Sequence, residues 1–127
     1  MEAHVQQDPV ALVVDDHEVV RRALCDRIRA SFGQWRLREA GTVDEALKIV
    51  GTERVDIVLM DIRLPGMDGV DGTRVVRERS PGTSVVVISM LDDACHRCAA
   101  SEAGARAFVS KRAINRELIP ALESLMN

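Results

Sequence analysis

Short runs of consecutive apolar residues alternate along this chain with longer stretches in which apolar residues recur at helical spacing. Val10-Ala11-Leu12-Val13-Val14 is unbroken, which predicts a strand buried on both faces. From about His17 to Ala30, Val20, Leu24 and Ile28 recur at helical spacing and predict an amphipathic helix. Trp35 to Glu39 alternates weakly and reads as an edge-like second strand. Thr42 predicts the cap of a helix through Val50, because Glu45 completes a capping-box pattern. Val55 to Met60 predicts a third strand, apolar apart from Asp56. The turn-rich Leu64-Pro65-Gly66-Met67-Asp68-Gly69 then leads into a helix ending near Arg79. Ser84 to Ser89 is a fourth apolar strand; Asp92 and Asp93 open a helix through Ala103, with Gly104 as its terminator. Arg106 to Val109 makes a short fifth strand, and a last helix runs from about Asn115 to Met126. Pro120 removes a backbone donor inside that helix and predicts a late start or a bend.

Strict strand–helix alternation with buried strands predicts a parallel sheet covered by helices on both faces. Right-handed crossovers close such a chain into a doubly wound α/β fold. In the flavodoxin-like strand order 2-1-3-4-5, ligands bind beyond the carboxyl ends of the first and third strands.

Composition narrows the function classes. With 127 residues the chain fits one domain, and 46% hydrophobic residues exclude a disordered tail. Its net charge of -3 and scattered basic residues argue against nucleic-acid binding by this chain itself. Met1 to Pro9 is polar and unlike a signal peptide, and no apolar run approaches the length of a membrane span. A cytoplasmic location follows as the expectation. The odd set of Cys25, Cys95 and Cys98 fits reduced thiols rather than a disulfide framework. Two Phe, one Trp and no Tyr leave the core to aliphatic residues.

The residues just past the predicted strands are Asp15 and Asp16, Asp61, Ser89 and Lys111. Taken singly, each has an ordinary explanation as a cap, a strand end or a surface lysine. Their joint placement at one sheet edge points to chemistry. Three converging carboxylates repel, and a hard divalent cation such as Mg²⁺ relieves that repulsion with oxygen ligands and phosphate. Lys111 adds a positive charge and Ser89 a hydroxyl donor, a set suited to phosphoryl transfer. Asp61, on the central third strand, is the candidate nucleophile, giving an acyl phosphate.

These residues resemble the response-regulator receiver family from about Val10 to Met126. The motifs are Leu12-Val13-Val14-Asp15-Asp16-His17, Val58 through Gly69 with Asp61 and Pro65-Gly66, Val86-Val87-Ile88-Ser89, and Ala103 through Lys111. The resemblance implies a single receiver domain over residues 1–127, with its core at about 10–126. It implies that Asp61 is the phosphoacceptor and that Asp15, Asp16, Asp61 and the Arg63 carbonyl hold Mg²⁺. Ser89 is similar to the family's switch hydroxyl, Lys111 to its phosphate-binding lysine and Phe108 to its switch aromatic. A sensor histidine kinase is the implied phosphodonor, with a homodimer among the forms expected after phosphorylation. The domain is then a signalling phosphoacceptor rather than an enzyme.

Asp-Asp-His at the start and Lys111-Arg112-Ala113 near the end resemble the NarL/FixJ-like, LuxR-type subfamily. That likeness implies output through transcription by a DNA-binding domain not contained in this chain. Met90 stands where the family usually carries a small residue, and it is expected to crowd the approach to Asp61. Arg63 is expected to cover the attacking water's path. Cys95, His96 and Cys98 lack a second ligand pair for zinc, and His4 and His17 are expected to lie outside the first shell of ligands. A phosphohydrolase with an aspartyl nucleophile would want an acid two residues after Asp61, where Arg63 stands. Flavin binding lacks stacking aromatics near the switch-point loops, and the intact acidic set with Lys111 argues against a mere dimerisation module.

Overall fold

The structure, a computed structural model, describes residues 8–126. His4 and the polar stretch before Asp8 lie outside the described residues. Five parallel strands form one sheet in the order β2-β1-β3-β4-β5. They are β1 (Val10–Val14), β2 (Arg36–Ala40), β3 (Ile57–Asp61), β4 (Ser84–Ser89) and β5 (Ala107–Ser110). Between and after them run α1 (Glu18–Ser31), α2 (Val43–Thr52), α3 (Gly69–Arg79), α4 (Ala94–Glu102) and α5 (Ile114–Met126). This is the flavodoxin-like (βα)5 arrangement expected from the alternation.

Alternate residues of a strand point to opposite faces, and the core divides accordingly. Leu12, Val14, Val58, Met60, Val85 and Val87 pack against α2, α3 and α4 through Ala46, Val76 and Ala100. Ala11, Val13, Leu59, Val86 and Ile88 face the other way and meet Leu24, Cys25 and Ile28 of α1 with Leu118 and Leu122 of α5. β1 and β3 are buried throughout, which is why their sequences are unbroken apolar runs. β2 is largely exposed, as an edge strand that alternates only weakly should be. Phe32 and Trp35 stack with ring centroids 4.2 Å apart beside the α1 and α5 layer.

The caps follow local chemistry. Thr42 Oγ1 accepts from the Glu45 amide at 3.1 Å, while Glu45 reaches back to the Gly41 amide rather than to that of Thr42. Asp68 and Asp93 cap α3 and α4 by accepting backbone N–H groups of the first turn. Gly104 ends the α4 turn with a φ of +105°, a conformation that favours glycine.

Several boundaries move by a residue or two. β3 begins at Ile57 and reaches Asp61, and the Asp56 side chain just before it accepts the Val10 amide at 2.8 Å. β5 likewise shifts to Ala107–Ser110. The late start expected of the last helix is corrected: a 3-10 turn over Lys111–Ala113 runs directly into α5 at Ile114. Pro120 lies within α5 and is exposed, so its ring points away from the packed face.

Candidate functional site

Val14 pairs with Met60 in the sheet register, so the next residues along β1 and β3, Asp15 and Asp61, emerge side by side. Both are buried, with 1% and 7% of their surfaces exposed. Asp16 is exposed and projects from the turn between β1 and α1. Ser89 ends β4, and Ser110 pairs with it at the end of β5. Lys111 follows, and its long stem crosses the end of β4. Its Nζ donates to Asp15 Oδ2 and to Asp61 Oδ2, each at 3.0 Å. Asp16, Asp61, Ser89 and Lys111 therefore line one pocket together with His17, Arg63 and Met90, and Asp15 joins the set through its bond to Lys111.

Charge and burial oppose each other here. Burial pushes the Asp61 carboxyl above its ordinary value, opposed by the Lys111 ammonium and reinforced by Asp15. Lys111 is disfavoured as a cation by its own burial, but its two carboxylate partners outweigh that and raise its pKa. The lysine thus stays charged between two acids, one of which resists ionisation.

The donor set fits a hard divalent cation. Ligand atoms of Asp15, Asp16 and His17 lie within 4.8 Å of one another. Asp15 accepts the His17 amide on Oδ1 and Lys111 on Oδ2, and each carboxylate oxygen retains a further lone pair. Asp15, Asp16 and Asp61 supply oxygen, the atom Mg²⁺ prefers. His17 lies beside the acidic pair, with Nδ1 3.1 Å from Asp16 Oδ1. Its side chain is largely exposed, and its nitrogen suits Mg²⁺ poorly.

Ser89 is buried, and its Oγ accepts the Leu91 amide at 3.0 Å, which leaves its proton free. Phe108 is half-buried on β5, with the Arg97 guanidinium 4.7 Å above its ring. Ser110 Oγ donates to Asp92 Oδ2 at 2.6 Å, tying the β4–α4 loop to the end of β5. Met90 is half-exposed and, like Arg63, lines the pocket. Arg112 also lines the pocket, a placement sequence reasoning missed because its position depends on the 3-10 turn. Cys95 and Cys98 are free, exposed thiols on α4 with no third ligand gathered near them among the described residues.

The comparisons agree with this geometry. Residues 11–123 match the family model described as the response regulator receiver domain. The chain is 34% identical over 115 residues to the transcriptional activator protein ExaE of Pseudomonas putida, covering 91% of this chain and 54% of that protein. It is 30% identical over 114 residues to the response regulator UvrY of Escherichia coli, covering 90% of this chain and 52% of that one. The chain thus spans about half the length of the curated relatives it matches. A crystal structure of a LuxR-family two-component response regulator from Aurantimonas superposes with a TM-score of 0.87 and 29% identity, covering 93% of this chain and 84% of that one. Buried strands that deliver an acidic pair, a third aspartate and a lysine to one sheet edge, and a family match over most of the length, lead to one conclusion: the chain belongs to the response regulator receiver domains, alongside regulators of the LuxR type.

Proposed function

We propose that Asp61 accepts a phosphoryl group from a sensor histidine kinase and that the resulting acyl phosphate switches the domain's surface. The observation that carries this reading is Lys111 Nζ, held 3.0 Å from both Asp61 and Asp15 at the edge of an open pocket. A carboxylate oxygen of Asp61 attacks phosphorus in line, the O–P bond forms, and the P–N bond to the donor imidazole breaks. Lys111 neutralises charge on the phosphoryl oxygens, and the free Ser89 hydroxyl proton is available to one of them. Asp15, Asp16, Asp61 and the Arg63 carbonyl would hold Mg²⁺, which when bound supplies charge neutralisation between the carboxylates and the phosphoryl oxygens.

Readout follows from packing. Ser89 moving toward the phosphate leaves room into which Phe108 turns, giving up its contact with Arg97. The surface of α4, β5 and α5 then changes for a partner, a two-state shift biased by the phosphate. Within a longer cytoplasmic regulator, residues 10–126 act as the receiver, a homodimer forms on phosphorylation, and transcription through a DNA-binding domain outside this chain is the output.

Acetyl phosphate with Mg²⁺ is expected to give a phosphoadduct by intact mass, and Asp61→Asn none. An unmodified wild-type chain under saturating metal would overturn the proposal in favour of a dimerisation module. Met90 and Arg63 line the pocket that holds Asp61, and their long side chains are proposed to restrict access to it. Met90→Ala is expected to shorten the lifetime of the acyl phosphate by a factor of about 3, equivalent to roughly 0.7 kcal/mol of barrier. Decay followed by intact mass after removing the donor measures it, and an unchanged lifetime assigns Met90 no such role.

A further inference from the structure

The turn that carries the acidic pair is held from outside by a side chain with no acid or base role in the chemistry above. Arg21, in the second turn of α1, donates through Nη1 to the Asp15 carbonyl at 2.9 Å and through Nε to Glu39 Oε1 at 2.8 Å. Its side chain is only 17% exposed. Glu39 belongs to β2, and the neighbouring Ala40 carbonyl accepts the Asp15 amide at 3.1 Å. The Asp15 side chain in turn accepts the His17 amide at 2.9 Å. With the Lys111 ammonium on its other oxygen, Asp15 is thus fixed at its N–H, its carbonyl and its carboxylate by four different partners.

The carbonyl Arg21 holds belongs to the peptide unit joining Asp15 to Asp16. Rotation of that unit would swing Asp16 relative to Asp15 and spread the carboxylates that are to share one cation. Two of the other three arginines of α1, Arg22 and Arg29, are exposed and pair with Glu18 and Asp26 on their own helix, the arrangement of an ordinary solvated face. The third, Arg27, donates to the Asn115 carbonyl at the start of α5 and does not reach the acidic turn. Arg21 leaves its helix to bridge two other elements, the end of β2 and the β1–α1 turn.

We infer that Arg21, braced by Glu39, is a positioning residue that preorganises Asp15 and Asp16 for the divalent cation. The inference rests on the phosphoacceptor reading, which supplies the cation. Groups that orient ligands without touching the metal commonly set its affinity. Electrostatics alone makes the opposite forecast: deleting a positive charge near an acidic site strengthens cation binding. The sign of the change therefore separates the two roles.

Mg²⁺ binding to the wild type, Arg21→Met and Arg21→Lys is to be measured by calorimetry, with thermal unfolding of each followed by circular dichroism. In Arg21→Met the dissociation constant is expected to rise about tenfold, the low end for residues that orient metal ligands. Arg21→Lys keeps the charge and one donor, and is expected to recover part of the affinity. The Mg²⁺ concentration giving half-maximal phosphorylation by acetyl phosphate should rise in parallel, more than the maximal rate falls. Equal or tighter Mg²⁺ binding by Arg21→Met, in a wild type that does bind and become phosphorylated, overturns this inference alone. If Arg21→Met does not fold, wild-type affinity in the folded Arg21→Lys overturns it as well. A wild type with neither Mg²⁺ binding nor a phosphoadduct overturns the functional reading and this inference with it.

Discussion

Gly69→Ala is expected to destabilise the chain by at least about 3 kcal/mol, the cost of severe overpacking against backbone. A Cβ at Gly69 would lie 1.8 Å from the Asp61 carbonyl oxygen and 2.9 Å from Ile62 Cα. Neither neighbour is the tip of a flexible side chain. The Gly69 amide also donates to the Ile62 carbonyl at 2.8 Å, so the start of α3 rests directly on the end of β3. Relief of the clash requires moving either α3 or the strand end that presents Asp61. Loss of stability and loss of phosphorylation should therefore appear together, read by urea unfolding and intact mass. Gly51→Ala is the contrasting change, since nothing lies within 4 Å of a Cβ there on α2. It is expected to stabilise by about 0.5 kcal/mol through helix propensity. A Gly69→Ala chain as stable as the wild type would refute the close approach.

Lys111→Met is expected to lower stability by about 3 kcal/mol in metal-free buffer at neutral pH, the low end for breaking a buried ion pair in a pocket that opens to solvent. The variant leaves Asp15 and Asp61 facing each other with no positive charge between them. Its pH dependence tests the cause. Asp61 already titrates above its ordinary value because of burial, with Lys111 opposing and Asp15 adding to the rise. A carboxyl with a raised folded-state pKa contributes stability below its unfolded pKa, near 4, and loses it as pH rises through the folded value. Removing Lys111 removes the main opposing influence. The deficit should then be greatest near pH 7 and smaller at pH 4.5, because acid favours the protonated carboxyl that burial already favours. Urea unfolding at the two pH values measures this, and a deficit independent of pH would point to lost packing of the lysine stem instead. Mg²⁺ should restore part of the lost stability in proportion to its binding, about 2.7 kcal/mol at a hundredfold excess over its dissociation constant.

Much of the architecture was legible in single residues. Unbroken apolar runs at Val10–Val14 and Ser84–Ser89 mark strands buried on both faces, and the weak alternation near Trp35 marks the edge. Caps at Thr42 and Asp93 follow from side-chain oxygens beside free amides, whereas Asp68, read only as part of a turn, caps α3 in the structure. The ends of β3 and β5 were less legible, because hydrogen bonding in the ladder, not side-chain polarity, decides where a strand stops. Pro120 shows a similar limit: an exposed ring within α5 is tolerated where the sequence alone suggested interruption.

The site divides along the same line. Strand periodicity together with parallel topology placed Asp15, Asp16, Asp61, Ser89 and Lys111 at one edge, since register brings residues after adjacent strands into contact. Residue types then named the chemistry. What sequence could not reach is contact made by long side chains across elements: Arg21 bridging β2 to the acidic turn, Arg97 over Phe108, and Arg112 entering the pocket. Such reach depends on rotamers and on where helices sit over the sheet. Backbone pattern is a local property and is written in the sequence; the choice among distant acceptors for a guanidinium is settled only when the fold brings them near.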